Sequence, residues 1–194
     1  MNAKHYSTVV IAIVACITMI DVSIAAGDPM LKMCVSCHGE DGRGTDSDTP
    51  IIAGLPAVVQ EDALYSYLDG DRDCGAKPMM CKVVGRLSEE QIVALSEHYA
   101  ALPYVPANEE FDAALAATGK VIHQRDCAIC HGSDDPGDAE ASILHGQRKG
   151  FLQYAMQQYA AGQRKQLPAM ERKLTTLTGE DIEALVNYYA SYRN

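Results

Sequence analysis

The pentapeptide Cys34-Val35-Ser36-Cys37-His38 returns, with the same three fixed positions, as Cys127-Ala128-Ile129-Cys130-His131. No other feature of the chain constrains its fold as much, because C-x-x-C-H is the attachment pattern of c-type haem. Two cysteines three apart lie on neighbouring faces of one helical turn, where both thiols can add to haem vinyl groups as thioethers. The histidine that follows swings beneath the porphyrin and offers its nitrogen to iron. Each copy is followed by a glycine, Gly39 and Gly132. The competing readings are a zinc site and a thiol–disulfide motif. Zinc ribbons keep their two C-x-x-C pairs close, whereas these lie 93 residues apart. The pattern therefore calls for two covalently bound haem c groups. Cys34, Cys37, Cys127 and Cys130 supply the thioethers, and His38 and His131 the proximal ligands.

Residues 1–26 read as a secretory signal peptide. Lys4 gives a positive start, Val9 to Ile20 is apolar, and Ser23-Ile24-Ala25-Ala26 offers small residues for cleavage. The apolar run is short of the roughly 20 residues that a membrane span needs. Covalent haem attachment of this bacterial kind takes place outside the cytoplasm, so a periplasmic protein is expected. Ile13-Val14-Ala15-Cys16 loosely resembles a lipoprotein box, although the residues after Cys16 stay apolar instead of forming a polar tether.

The rest of the chain has no Trp and only two Phe, which is poor material for two independent cores. A haem in each half resolves this, since the macrocycle is itself a large apolar body for helices to pack around. Residues 27–105 hold 6 basic and 13 acidic side chains, a net −7, and residues 106–194 hold 9 and 12, a net −3. That acidity argues against nucleic acid and favours a partner with a basic face.

The halves form a tandem repeat. Cys34 maps to Cys127 at an offset of 93; Gly54, Tyr67, Gly70 and Arg72 map to Gly146, Tyr159, Gly162 and Arg164 at 92. Pro78, Met80 and Tyr99 map to Pro168, Met170 and Tyr189 at 90. One haem motif per repeat means two similar domains: residues 27–102 and 110–194, joined by a linker at 103–109 that holds two prolines. Both halves read as helical, giving an all-α fold of two cytochrome c-like domains, each wrapping one haem. Ser88 with Gln91 and Thr178 with Asp181 resemble capping boxes. Ile92, Leu95 and Tyr99, like Ile182, Leu185 and Tyr189, fall at helical spacing. Further helices are expected at 111–127, 62–68 and 149–160, with only a short one before Cys34.

An electron carrier needs a sixth iron ligand that blocks exchange, and a methionine thioether does this while favouring ferrous iron. Pro78-Met79-Met80 and Pro168-Ala169-Met170 each place a Met two residues after a Pro, at matching repeat positions. Met80 and Met170 are the chosen ligands, with Met79 the fallback in the first site. Met30, Met33 and Met156 fit core packing better. Cys74 and Cys81 have no counterparts in the second half and bracket the Met80 loop. In an oxidising compartment they are expected to form a disulfide; free thiols, or Cys81 as an iron ligand, are the other two readings. His98, His123 and His145 read as surface or packing residues. Arg72 and Arg164 either pair with haem propionates or are solvated.

On these residues the chain resembles the tandem di-haem class I cytochromes c, a group that includes the cytochrome c-four carriers and the cytochrome subunit of flavocytochrome c sulfide dehydrogenase. Tyr104 to Leu115 with Thr118-Gly119, and Phe151-Leu152-Gln153-Tyr154-Ala155-Met156 ahead of the Met170 loop, are similar to the latter. The resemblance implies His38/Met80 and His131/Met170 ligation. It also implies a flavoprotein partner with covalently bound FAD that oxidises sulfide. A free carrier delivering electrons to a terminal oxidase, or serving another sulfur-compound dehydrogenase, is the alternative. The chain has neither a dinucleotide fingerprint nor an acid–base or nucleophile constellation, so enzyme activity is assigned to a partner.

Overall fold

The computed structural model describes residue 24 and residues 27–75, 78–132 and 142–193. The expected leader lies outside the described residues apart from Ile24, as does Cys16. Among the described residues all regular structure is helical. The first half runs α1 (Pro29–His38), α2 (Ala57–Leu68), α3 (Met79–Val84) and α4 (Glu89–Ala100). The second runs α5 (Ala113–Asp126), α6 (Ala128–His131), α7 (Lys149–Ala160), α8 (Pro168–Leu174) and α9 (Gly179–Ala190). No helix among these residues is long and apolar enough to cross a membrane.

Local chemistry accounts for the helix starts. Asp28 caps α1 by accepting from Met30 N–H at 2.7 Å, and Asp112 caps α5 through Ala114 and Leu115. Both capping boxes are present at α4 and α9, each closed by reciprocal bonds between the cap and its third residue. Two helices differ in extent from the sequence reading. α1 runs unbroken through the first haem motif, whereas its counterpart breaks at Cys127 into α5 and α6. α2 starts five residues before the expected 62, directly after Pro56, which stands at its N-cap.

In the second half α5 crosses α9 at close range. A Cβ built on Gly119 comes within 2.1 Å of the Ala184 carbonyl oxygen, so only glycine admits this approach. Around the crossing lie Ile122, Leu152, Met156, Leu174, Ile182, Leu185, Val186 and Tyr189, all buried. The first half has a smaller cluster of Leu31, Leu95 and Tyr99, against which Ile24, Cys34 and Val35 pack. The terminal tyrosines close both cores, at 2% and 0% exposure for Tyr99 and Tyr189.

The connection between the halves is pinned by equivalent glycines. Gly54 donates its N–H to Tyr99 O at 2.9 Å and Gly146 to Tyr189 O at 2.8 Å, both at positive φ. Their bare Cα faces touch Tyr104 and Pro106 respectively, within 2.9 Å of where a Cβ would sit. Tyr104 Oη then donates to His145 O, and Ala107 N–H to Gly146 O.

Direct bonds join the halves as well. α7 has no side-chain cap of its own. Its exposed N–H groups are met instead by Ser47 O and Oγ, which accept from Phe151 and Gly150, and by Glu109 Oε2, which accepts from Lys149. Arg148 donates to the carbonyls of Arg43 and Gly44 at 2.8–3.1 Å. Elsewhere Asp73 N–H meets Gln163 O and Lys165 N–H meets Asp71 O, around an isolated antiparallel bridge between Arg72 and Arg164. Exchanging repeat-equivalent residues turns one of these bonds into the other, so a local two-fold relates the halves here.

Gly119→Ala is expected to destabilise the holoprotein by about 2–3 kcal/mol through overpacking at the α5–α9 crossing. Guanidinium unfolding followed by haem absorbance and far-UV dichroism checks this.

Candidate functional site

Each haem motif presents its histidine in the same way. His38 is 6% exposed, and its Nδ1 lies 3.2 Å from Pro50 O. His131 Nδ1 lies 3.1 Å from Ser142 O. A carbonyl can only accept, so Nδ1 carries the proton in both rings and Nε2 is the nitrogen left to coordinate a metal. Burial pushes both imidazoles below their usual basicity, against the opposing pull of those carbonyls. They are therefore held neutral, the form that ligates iron.

None of the four motif cysteines is tied up in a disulfide; Cys37 and Cys130 are exposed and Cys34 and Cys127 half-buried. Burial raises the Cys34 thiol to about 11 and moves Cys127 in the same direction. Among the described residues no three His, Cys, Asp or Glu side chains converge to hold a metal ion.

Met80 stands in the first turn of α3 and Met170 in the first turn of α8, so both lie on short helices where a loop was expected. Met80 is half-buried while Met79 is 60% exposed, which favours Met80 as the inward-facing sulfur. Met170 packs against the second core cluster. A disulfide joins Cys74 to Cys81, with Cα atoms 6.2 Å apart, and ties α3 to the segment before it. With its sulfur in that bond, Cys81 is not an iron ligand.

Arg72 and Arg164 are not solvated. Arg72 is 8% exposed, and the two guanidiniums cover the rings of Tyr67 and Tyr159 at 4.5 and 4.4 Å. Burial, with Arg72 adding repulsion, lowers Arg164 to about 10. Among the described residues no carboxylate pairs with either, and Arg72 Nε is buried without a hydrogen-bond partner. A buried arginine with a second cation near enough to repel it favours an anion alongside. Haem propionates have the charge and oxygen acceptors that fit, and the neutral histidines and motif cysteines suit the rest of the macrocycle.

His123, read as a surface or packing residue, packs: it is fully buried and bridges elements, with Nδ1 2.9 Å from Tyr189 Oη and Nε2 2.6 Å from Gly132 O. Its spacing of four from both Gly119 and Cys127 places it on the face that meets α9, a signal available in the sequence. Gln147 and Arg148, which hold the halves together, carried no such signal because their partners are backbone atoms about 100 residues away.

A family model described as cytochrome c oxidase, cbb3-type, subunit III, matches residues 114–188. Cytochrome c-554(548) from Halomonas halodenitrificans is 35% identical over 75 residues, covering 39% of this chain and 90% of the relative. The chain belongs to the class I cytochromes c. Its two-domain layout is shared with cytochrome c4 from Acidithiobacillus ferrooxidans, at a TM-score of 0.75 and 25% identity over 83% of this chain and 99% of that one. A thiosulfate dehydrogenase from Marichromatium purpuratum aligns with a TM-score of 0.69 and 27% identity, over 81% of this chain but only 36% of the other. This di-haem cytochrome c thus carries two covalently bound haem c groups and serves as an electron carrier.

In this cytochrome, Arg164→Met is expected to lower holoprotein stability by roughly 2–4 kcal/mol, because it leaves an anion unpaired in the seam. Chemical unfolding of the purified protein reads this; a gain in stability would mean that no anion meets the pair.

Proposed function

We propose that the protein is a periplasmic electron carrier that accepts electrons from a dehydrogenase of a reduced sulfur compound and passes them to a redox acceptor such as an oxidase. The observation that supports this most is the shared scaffold: the tandem fold spans 81% of this chain in its alignment with a thiosulfate dehydrogenase. The residue pattern around Tyr104–Leu115 and Phe151–Met156 points to a donor of a related kind, a flavoprotein sulfide dehydrogenase with bound FAD.

In this reading Cys34 with Cys37 and Cys127 with Cys130 hold the two haems, and His38/Met80 and His131/Met170 are the axial pairs. The domains are residues 27–102 and 110–194. Bound haem supplies a one-electron couple. The chain's part is to keep that couple closed to other chemistry. The carbonyls of Pro50 and Ser142 fix the ring orientation of the two histidines. The short helices α3 and α8 hold the two thioethers, and the Cys74–Cys81 bond braces the first of them. The acidic surface, strongest in the first half, suits a partner with a basic face.

The donor is identified by purifying the protein gently from periplasm and following haem and protein-bound flavin together. A fixed flavin-to-haem ratio with sulfide-driven haem reduction supports the flavoprotein donor. A cytochrome that runs alone and is reduced only by thiosulfate plus its dehydrogenase identifies the other. Reduction by neither system overturns the sulfur-compound reading.

Met170→Ala is expected to open the second haem to carbon monoxide in the reduced state and to lower its potential, while the first haem stays closed. Carbon monoxide difference spectra and redox titration check this; unchanged spectra would show that another group ligates the iron.

A further inference from the structure

Gln147 lies in the second half, yet its side chain grips a peptide of the first. Its Oε1 accepts from Ile51 N–H at 2.7 Å and its Nε2 donates to Ile51 O at 2.8 Å. Both residues are buried, at 2% and 0% exposure. One amide therefore satisfies both backbone groups of Ile51, as a neighbouring strand would. Oε1 also accepts from Arg148 N–H at 2.9 Å, which fixes the side chain from its own side.

The grip matters because of what Ile51 N–H belongs to. It shares one planar peptide unit with Pro50 C=O, the carbonyl that accepts Nδ1–H of His38 at 3.2 Å. Gln147 holds one end of that rigid plate and His38 contacts the other. Accepting from the N–H side also polarises the peptide and strengthens its carbonyl as an acceptor. A stronger acceptor at Nδ1 gives the imidazole more imidazolate character, which favours ferric iron and lowers the potential.

Among the described residues no side-chain amide grips the corresponding peptide of the second site. Its carbonyl comes from Ser142, and the residue at the repeat position of Gln147 is Leu55, which has no amide to offer. The arrangement thus runs one way, from the second half to the first site.

We infer that Gln147 is a positioning residue through which the second domain tunes the proximal hydrogen bond, and so the potential, of the first haem alone. This rests on the reading of His38 as the first haem's proximal ligand.

The test uses the intact holoprotein with both haems, their resonances assigned separately by paramagnetic NMR. Gln147→Met keeps the side-chain volume and removes both bonds. Its expected result is an upward shift in the first haem's potential, with faster exchange of the Ile51 amide and of the His38 Nδ1 proton. The second haem and His131 keep their wild-type values. Gln147→Asn retains the amide but is one methylene too short to span Ile51, and it shifts the first potential in the same direction. It decides the matter if the Met variant does not fold. An unmoved first potential, or equal shifts in both haems, overturns the proposal, because general loosening of the seam would move both. The ligand reading is tested separately in the wild type. A proximal imidazole that is not His38 in the first haem's spectrum removes it before any variant is made.

Discussion

Two like charges repel across the local two-fold of this cytochrome, where the backbones of Arg72 and Arg164 meet. Arg72 and Arg164 each cover a tyrosine ring, and their backbones meet in a single antiparallel bridge flanked by two equivalent hydrogen bonds. The backbone bonds align the halves, the rings screen the cations, and an anion of the kind a haem propionate would supply there would complete the charge balance.

Much of this was legible in the sequence because it is repeated. The haem motifs, the capped terminal helices and Arg72 with Arg164 occupy matching positions, and symmetry separates them from incidental residues. The sequence placed α7 to the residue and α5 to within two. Several of the features that escaped detection break the symmetry. Gln147, Arg148 and Ser47 act on backbone atoms far away in the chain, and a side chain bonded to a distant peptide leaves no local pattern. The short helices holding Met80 and Met170 were also missed. With six and seven residues, they are too brief for an apolar stripe to declare itself.

The asymmetry is consistent in kind. Each half secures its haem segment by a different means, and neither means is copied in the other. In the first half it is a covalent bond between Cys74 and Cys81 and the foreign amide of Gln147. In the second it is a buried His123 joining Tyr189 to the carbonyl that follows the motif. Duplication explains the shared frame, and these later fittings give two copies of one domain different surroundings for the same cofactor.

The linker has a consequence of its own. Tyr104 and Pro106 lie against the bare faces of Gly54 and Gly146, and the segment between the halves is bonded on both sides as it passes. A connection used up in this way has no slack. For this chain to lend one domain to a second copy and borrow that copy's domain in return, the segment would have to straighten, stripping both glycine seats and leaving their partners unmatched. The linker thus works against domain-swapped dimers, a common hazard for tandem repeats joined by short hinges.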